Sequence, residues 1–273
     1  MENILLGKRT AYKDEYDPTL LYPIARKLAR DQIGVVSPLP FKGFDVWNCY
    51  EVSWLQYSGK PEVRVMEIII PADSENIIES KSLKLYLNSL NNTKFNDDNQ
   101  VVELMQSDLS KTIKSPVTIH CQTLDAYSNL ELSNFTGVNI DLLDVSIGDY
   151  NINTNLLSLS KEKLLVEEVL YSNLLKSNCC VTGQPDWASI QISYKGLKID
   201  HSALLKYLIS FRNHQEFHEQ CVERVFTDIK NRCNPEKLTV YARYTRRGGV
   251  DINPIRSTDL NVTHIENLRQ IRQ

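Results

Sequence analysis

One order of elements occurs twice along the chain, and it restricts the fold more than any other feature: strands, then two helices, then a returning strand. In the first half, Leu83, Tyr86, Leu87 and Leu90 recur at helical spacing, which predicts an amphipathic helix. A Ser-Gly-Lys-Pro turn at residues 58–61 separates two β-prone runs and predicts a hairpin. The predicted elements are strands over 52–57 and 63–70, helices over 79–90 and 98–113, and a strand over 117–123.

The second half repeats this order. Segments 86–95 and 207–217 also share residue types when one inserted residue is allowed, which indicates a duplication. The predicted elements are a strand over 189–194, a turn at Gly196, helices over 202–211 and 217–232, and a strand over 238–244.

These patterns predict four regions. The first is an N-terminal arm over residues 1–50 with a brief helix over 24–29, because prolines interrupt its short apolar runs. A first module covers 51–125 and a second covers 166–273. The connecting segment between them, 126–165, is rich in Asn, Ser and Asp. In and around it we expect two irregular strands and a short helix over 161–170.

Composition restricts the class of protein. With 273 residues, of which 42% are hydrophobic and 24% charged, the chain is predicted to be a soluble globular protein. A net charge of -3 gives no general attraction to nucleic acid, so we expect no direct nucleic-acid partner and a free small molecule as substrate. The chain starts without a basic region and long apolar run, and it has no 18-residue apolar stretch, which predicts a cytoplasmic protein without a membrane segment.

The cysteines lack the spacing of a zinc ribbon, so we predict reduced thiols and no metal site. Their positions are 49, 121, 179, 180, 221 and 233.

A loop that can present reactive groups precedes the strand predicted from Ser189. Gly183 and Pro185 interrupt regular structure there, so Cys179 and Asp186 can face one another across a bend. A thiol beside a carboxyl suits covalent catalysis, in which a thiolate attacks an electrophilic carbon and the acid protonates the atom that gains electrons. Cys179 can equally be a small buried hydrophobe, and Asp186 a turn or capping residue.

Four separated blocks, in this order along the chain, carry a resemblance to a known family. They are Glu79-Ser80-Lys81-Ser82-Leu83-Lys84-Leu85-Tyr86, Ser177-Asn178-Cys179 with Gln184-Pro185-Asp186-Trp187, Phe211-Arg212-Asn213-His214 through Phe217-His218-Glu219, and Arg243-Tyr244-Thr245-Arg246-Arg247-Gly248-Gly249. The opening Gly7-Lys8-Arg9-Thr10 and the run Leu20-Leu21-Tyr22-Pro23-Ile24 also fit. Over nearly its whole length the chain resembles the long, two-module form of the NADPH-dependent 7-cyano-7-deazaguanine reductases, the nitrile reductases of queuosine biosynthesis. Cys180 and Gly183 inside the loop are the main departures.

The resemblance implies an α+β tunnelling fold (T-fold), with two tandem modules of antiparallel sheet and paired helices on one face. It implies that Cys179 forms a covalent thioimide with the nitrile of 7-cyano-7-deazaguanine, that Asp186 donates a proton, and that NADPH reduces the intermediate to a primary amine. It also implies a homodimer.

The resemblance further implies the binding residues. Those for substrate are Ile78, Glu79, Ser80, His218 and Glu219, and those for NADPH are Ser80, Lys81, Arg247 and Gly248. A carboxylate such as that of Glu79 or Glu219 can accept two parallel hydrogen bonds from the donor edge of the 7-deazaguanine ring. Without the resemblance, Glu79 is an ordinary residue at a helix start, His218 a core histidine, and the Arg-Gly pairs a basic surface turn.

Two other classes stay open from the residues. One is a T-fold protein that binds a purine-like or pterin ring without reducing it, and the other is a cyclohydrolase-like zinc enzyme, which needs clustered Cys and His ligands. No glycine-rich dinucleotide fingerprint is present, so NADPH rests on the resemblance alone.

Overall fold

The structure is a computed structural model that describes residues 12–262 and 265–273, so the opening motif Gly7-Lys8-Arg9-Thr10 lies outside the described residues. The fold is mixed α and β with mainly antiparallel strand pairing. The strands are β1 (Pro23–Ala25), β2 (Lys42–Leu55), β3 (Pro61–Pro71), β4 (Asn76–Ile78), β5 (Thr118–Gln122), β6 (Val138–Asn139), β7 (Leu165–Asn178), β8 (Pro185–Leu197), β9 (Lys237–Tyr244) and β10 (Val250–Ser257). The helices are α1 (Arg26–Gln32), α2 (Ser80–Ser89), α3 (Asp98–Ile113), α4 (Leu124–Ser128), α5 (His201–Ile209) and α6 (His218–Cys233).

The chain divides into two compact units. Unit 1 comprises the described part of Met1–Ala29 together with Asp45–Leu132 and Arg246–Asp251. Unit 2 comprises Arg30–Phe44, Ser133–Thr245 and the described part of Ile252–Gln273. In residues 12–262 and 265–273, no helix is both long and apolar enough to cross a bilayer.

Unit 1 is built on the β2–β3 hairpin. Gly59 turns it at a φ of +86°, and β5 pairs antiparallel with β3. The helices of this unit begin at side-chain caps: Glu79 accepts hydrogen bonds at the start of α2, and Asp97 accepts one from the Gln100 N–H at the start of α3. Their buried faces carry apolar side chains such as Leu83 and Met105.

Unit 2 is built on the longer β7–β8 hairpin, whose antiparallel ladder runs from Leu165 opposite Leu197 to Asn178 opposite Pro185. Strand β9 continues the antiparallel pairing along β8. Helix α6 buries a carboxylate, Glu223, and both Arg30 and Arg256 donate hydrogen bonds to it from buried positions. These charge-assisted bonds offset the desolvation of the buried charge.

Several predictions are confirmed and several are wrong. Helix α3 and the 58–61 turn occur where they were predicted, and α2, α5, α6 and β9 differ by a few residues at their ends. The helix predicted over 161–170 is wrong, because residues from Leu165 onward form β7. Gly196 lies within β8, and residues 42–50, assigned to the arm, form the first part of β2. The helix predicted over 24–29 instead starts at Arg26, after β1.

The β7 ladder contains a bulge that decides which side chains face the core. Between Ser172 and Leu175, β7 advances three residues while β8 advances two, from Ile190 to Ala188. Because side chains alternate along a strand, one extra residue reverses the inward-facing set. Leu170 and Ser172 are buried before the bulge, and the buried positions after it are Leu175, Ser177 and Cys179.

Asp141 satisfies the polar groups that the bulge leaves outside the ladder. Its carboxylate accepts a hydrogen bond from the Ser172 hydroxyl at 2.5 Å and one from the Asn173 N–H at 2.8 Å. The Ser189 hydroxyl donates to the Asn173 side chain at 2.7 Å. The bulge is therefore held from a neighbouring 3₁₀ helix, Ile140–Leu142.

We predict that Asp141→Ala lowers the free energy of unfolding by about 1–3 kcal/mol, because it leaves a partly buried N–H and hydroxyl without their acceptor. Urea denaturation followed by circular dichroism measures this change. The control is Asp144→Ala, an exposed carboxylate three residues away, which should change stability by less than about 0.5 kcal/mol. Equal stabilities for the two variants would show that Asp141 does not hold the bulge.

Candidate functional site

The connection between β7 and β8 spans residues 179–184, and Cys179 is its first residue. The Cys179 N–H donates to the Gln184 carbonyl at 2.8 Å, and the Gly183 N–H donates to the Cys179 carbonyl at 2.9 Å. Gly183 has a φ of +69°, a left-handed conformation that glycine adopts readily. The loop therefore closes on itself, and Cys179, at its base, is only 5% exposed.

Asp186 lies at the start of β8, directly opposite Ser177. Directly paired residues of antiparallel strands point to the same face, so Asp186 shares the buried face on which Ser177 lies. Asp186 is 7% exposed, whereas the next residue, Trp187, is 38% exposed opposite Lys176. Cys179 and Asp186 thus belong to the same end of the same hairpin.

The residue before the nucleophile candidate is fixed by a second segment of unit 2. The Asn178 N–H donates to the His214 carbonyl at 2.7 Å, and the Glu216 N–H donates to the Asn178 carbonyl at 3.2 Å. Glu216 is buried; burial opposes its charge, but hydrogen bonds from His214 and Arg224 lower its pKa below the usual value. This segment leads directly into α6, so the start of that helix is brought to the Cys179 loop.

His218, the first residue of α6, points at Asp186. Its Nε2 lies 3.4 Å from Oδ2 of Asp186. On its other side the imidazole stacks on the Tyr244 ring, with centroids 3.8 Å apart and planes 2° from parallel. The buried Nδ1 of His218 has no hydrogen-bond partner among the described residues, which leaves it available to a ligand.

The two neighbouring thiols have pKa values above that of an ordinary cysteine. Burial raises the pKa of Cys180 to about 12, and the nearby carboxylates of Glu219 and Asp186 add to this effect. Burial also raises the pKa of Cys221 well above its usual value, against hydrogen bonds from Ser177 and Tyr244. Neither Cys180 nor Cys221 is therefore a thiolate near neutral pH.

Glu219 follows His218 in the first turn of α6 and is buried. A carboxylate at this end of a helix is stabilised by the helix dipole. Unit 2 thus groups four of the predicted site residues, namely Cys179, Asp186, His218 and Glu219. Over the range that the structure describes, no three His, Cys, Asp or Glu side chains are placed to hold a metal ion.

Unit 1 contains the other predicted residues. Glu79 is buried and caps α2: its two carboxylate oxygens accept hydrogen bonds from the Lys81 N–H at 2.9 Å and the Ser82 N–H at 2.8 Å. Each oxygen can accept one more, so capping and ligand binding are compatible. Ile78 is buried at the end of β4, and Ser80 is the first residue of α2.

Arg247 and Gly248 lie in a turn of unit 1, and the backbone of Gly248 approaches α2. Gly248 and Gly249 have φ values of +62° and +75°. A Cβ on Gly248 would lie 3.3 Å from Cε of Lys84, which is one turn after Lys81 on α2. A cavity of about 220 Å³ opens here; its lining includes Glu51, Lys84, Asn88, Asn91, Gly248 and Gly249.

Two residues at these places were given no role from the sequence. Lys84 and Tyr244 both lie inside blocks that carry the resemblance, but only the fold puts Lys84 against Gly248 and Tyr244 against His218. Lys81 and Lys84 are three residues apart, so a helix places them on the same face. This spacing could have indicated Lys84 as a further candidate residue. No pattern in the sequence indicates the Tyr244 contact.

Comparisons with known proteins show which family the chain resembles. Residues 12–121 match the family described as nitrile reductase, 7-cyano-7-deazaguanine-reductase N-term, and residues 185–262 match the family described as QueF-like protein. The class that these matches define is the nitrile reductases. A crystal structure of the archaeosine synthase QueF-Like in the apo form is 19% identical, covers 34% of this chain and 91% of its own, and has a TM-score of 0.30, too low for a comparison of folds.

Full-length relatives identify the family. A protein of Ralstonia nicotianae is 52% identical over 100% of this chain and 99% of its own length. Proteins of Paraburkholderia phymatum and Burkholderia multivorans are each 51% identical, over 98% and 100% of this chain and 97% and 99% of their own. All three are named NADPH-dependent 7-cyano-7-deazaguanine reductase. The chain belongs to the family of NADPH-dependent 7-cyano-7-deazaguanine reductases.

Proposed function

We propose that this protein reduces the nitrile of 7-cyano-7-deazaguanine to the primary amine of 7-aminomethyl-7-deazaguanine with NADPH, a step of queuosine biosynthesis. The observation that carries the proposal is that a buried Cys179 and the Asp186–His218 contact lie at the same end of the β7–β8 hairpin. A thiol that shares a site with a carboxyl and an imidazole suits addition to an electrophilic carbon.

The covalent step assigned to Cys179 balances as an addition of the thiol across the nitrile. The sulfur electron pair forms an S–C bond to the nitrile carbon, and one C–N π bond breaks. The nitrogen takes a proton from Asp186, and the proton that leaves the thiol restores the Asp186–His218 pair. The product is a thioimide on Cys179. The closed loop and the low exposure of Cys179 limit competing attack by water.

Ring recognition is assigned to the substrate-binding residues named from the sequence. Each Glu79 oxygen keeps a lone pair after capping α2, so its carboxylate can accept a donor pair from the ring. Glu219 offers a second buried carboxylate, and Nδ1 of His218 offers a buried polar atom. Ile78 and Ser80 flank Glu79 in the chain and complete the set.

The cofactor is assigned to the Lys81 and Arg247–Gly248 region with Ser80. The adjoining 220 Å³ cavity is lined by one cation, Lys84, one carboxylate, Glu51, and the two glycines of positive φ, and a Cβ at position 248 would lie 3.3 Å from Cε of Lys84. Backbone without side chains beside a cation suits a phosphate or ribose of NADPH, and Arg247 and Lys81 are proposed to supply further cationic donors. Each NADPH, when bound, would supply one hydride, so two NADPH molecules in turn, with two protons, would carry the nitrile to the amine.

Four further assignments accompany this function. We assign the two units to the tunnelling fold, since each has a hairpin, two helices and a returning strand. We propose a homodimer, as the family resemblance implies. A cytoplasmic setting is supported by six free cysteines, and a net charge of -3 supports a free small-molecule substrate rather than nucleic acid.

The central test is the covalent adduct. Mixing the protein with 7-cyano-7-deazaguanine and no cofactor should raise the intact mass by one ligand. Cys179→Ala should lose both adduct and turnover, whereas Cys180→Ala should keep both, because the raised pKa of Cys180 makes it a poor nucleophile. An adduct that peptide mass spectrometry maps to Cys180 would contradict the assignment.

Substitutions of Asp186 and Glu79 should affect different steps, catalysis for Asp186 and substrate binding for Glu79. Asp186→Asn should bind substrate but reduce it poorly, since it cannot supply the proton. Glu79→Leu should weaken substrate binding by about 2–4 kcal/mol, because buried donors lose a charged acceptor. Isothermal titration calorimetry measures both affinities.

Glu79→Leu also removes a helix cap, so its control is Asp97→Ala, which uncaps α3 of the same unit. Asp97→Ala should lose about 1 kcal/mol of stability and keep substrate affinity. An unchanged affinity in Glu79→Leu would remove Glu79 from the site.

Arg247 and Lys81 should distinguish NADPH from NADH, because only NADPH carries a 2′-phosphate. Arg247→Ala should raise the dissociation constant for NADPH by at least about tenfold, as expected for the loss of a charge-assisted hydrogen bond. Lys81→Ala should act in the same direction, and adduct formation without cofactor should survive in both.

Fluorescence titration with NADPH and NADH measures these constants, and Lys60→Ala, an exposed cation at the β2–β3 turn, serves as the control. Equal affinity of the parent for both cofactors, or unchanged NADPH affinity in both variants, would show that neither residue binds the 2′-phosphate of NADPH.

A further inference from the structure

The orientation of the His218 imidazole has an unusual basis. A functional histidine is normally oriented by a hydrogen bond at its second ring nitrogen. Here Nδ1 is buried without a hydrogen-bond partner among the described residues. The contacts that remain are the 3.4 Å approach of Nε2 to Asp186 and the parallel stack on Tyr244, at 3.8 Å and 2°. The ring face of Tyr244 therefore takes the place of the missing hydrogen bond.

Tyr244 is itself held rigidly. It is fully buried, and it lies opposite Ala188 on β8, two residues after Asp186. Its N–H donates to Oδ1 of Asn253 at 3.1 Å, and its carbonyl accepts a hydrogen bond from Nε2 of Gln273 at 2.7 Å. The strand that carries Asp186 and the strand that carries Tyr244 are thus directly paired. This pairing fixes the Tyr244 ring relative to the Asp186 carboxylate.

We propose that Tyr244 is a positioning residue, whose ring holds the plane of the His218 imidazole so that Nε2 faces Asp186 during addition of Cys179 to the nitrile. This inference rests on the proposed function. Tyr244 acts through its ring face and through His218 alone. Loss of the ring lets the imidazole rotate about its side-chain bonds, and small misplacements of a reacting group can slow a reaction by about a hundredfold.

The experiment compares Tyr244→Leu with Tyr244→Phe, each in the parent and in a His218→Ala background. The readouts are kcat, KM for 7-cyano-7-deazaguanine, and the rate of cofactor-free adduct formation by intact mass. Tyr244→Leu should slow adduct formation and lower kcat by about 10- to 100-fold, with KM raised no further than in His218→Ala. In the His218→Ala background the same substitution should change the rate by less than about twofold, because the positioned group is already gone. Tyr244→Phe keeps the stack and should restore most of the rate.

A stability control separates positioning from folding. Tyr194→Leu removes another buried tyrosine of unit 2, whose hydroxyl donates to Glu168 at 2.8 Å, and it should lower the melting temperature while the folded protein keeps the parent rate. Equal losses from Tyr244→Leu in both backgrounds would overturn the inference, as would a parent-like rate in Tyr244→Leu or a Tyr244→Phe as slow as Tyr244→Leu. A parent that forms no adduct and reduces no nitrile would overturn the proposed function, and this inference with it.

Discussion

The bulge between Ser172 and Leu175 reverses the inward-facing side of β7 just before the strand reaches the Cys179 loop. Without the extra residue, the alternation of Leu170 and Ser172 would continue and place Lys176 and Asn178 on the core face. Ser177 and Cys179 would then point away from α6. The direction of the proposed nucleophile thus depends on one unpaired residue and on the Asp141 carboxylate that satisfies it.

The residues proposed to act with Cys179 lie on three other elements, and strand pairing and helix packing set their positions. Asp186 is set by its register opposite Ser177, and Tyr244 by the pairing of β9 with β8. His218 is set by α6, which the segment around Glu216 leads up to and which Glu223 fixes through its two buried arginine partners. Breaking such a buried pair leaves an uncompensated charge, so α6 has little freedom to shift.

The sequence predicted much of this arrangement but not its geometry. The helices were predictable because their apolar periodicity and capping residues agree, as at Asp97 for α3. Strand β7 was mistaken for a helix near its start, where Glu167 and Glu168 favour a helix locally, although pairing with β8 decides the outcome. A one-residue bulge leaves no compositional trace, and neither does the stack of Tyr244 on His218, because both depend on long-range pairing.

Among the candidate site residues, Glu79 could be placed at a helix start from the sequence, but its capping of α2 with both oxygens could not be distinguished from a binding role, since a capping carboxylate and a binding carboxylate look alike in a sequence. The assignments of Cys179 and Asp186 to one site rested on turn residues and on the resemblance. The register of Asp186 opposite Ser177, two residues before Cys179, brings both residues to the same end of the hairpin.

The most direct test of covalent chemistry at Cys179 is carbon-13 NMR of the protein mixed with 7-cyano-7-deazaguanine that is labelled at the nitrile carbon, in the absence of NADPH. We predict that the nitrile resonance is replaced by that of a carbon doubly bonded to nitrogen and singly bonded to sulfur, and that Cys179→Ala leaves the nitrile resonance in place. A nitrile resonance that persists in the parent protein at saturating concentration, or a new resonance that survives in Cys179→Ala, would contradict the assignment.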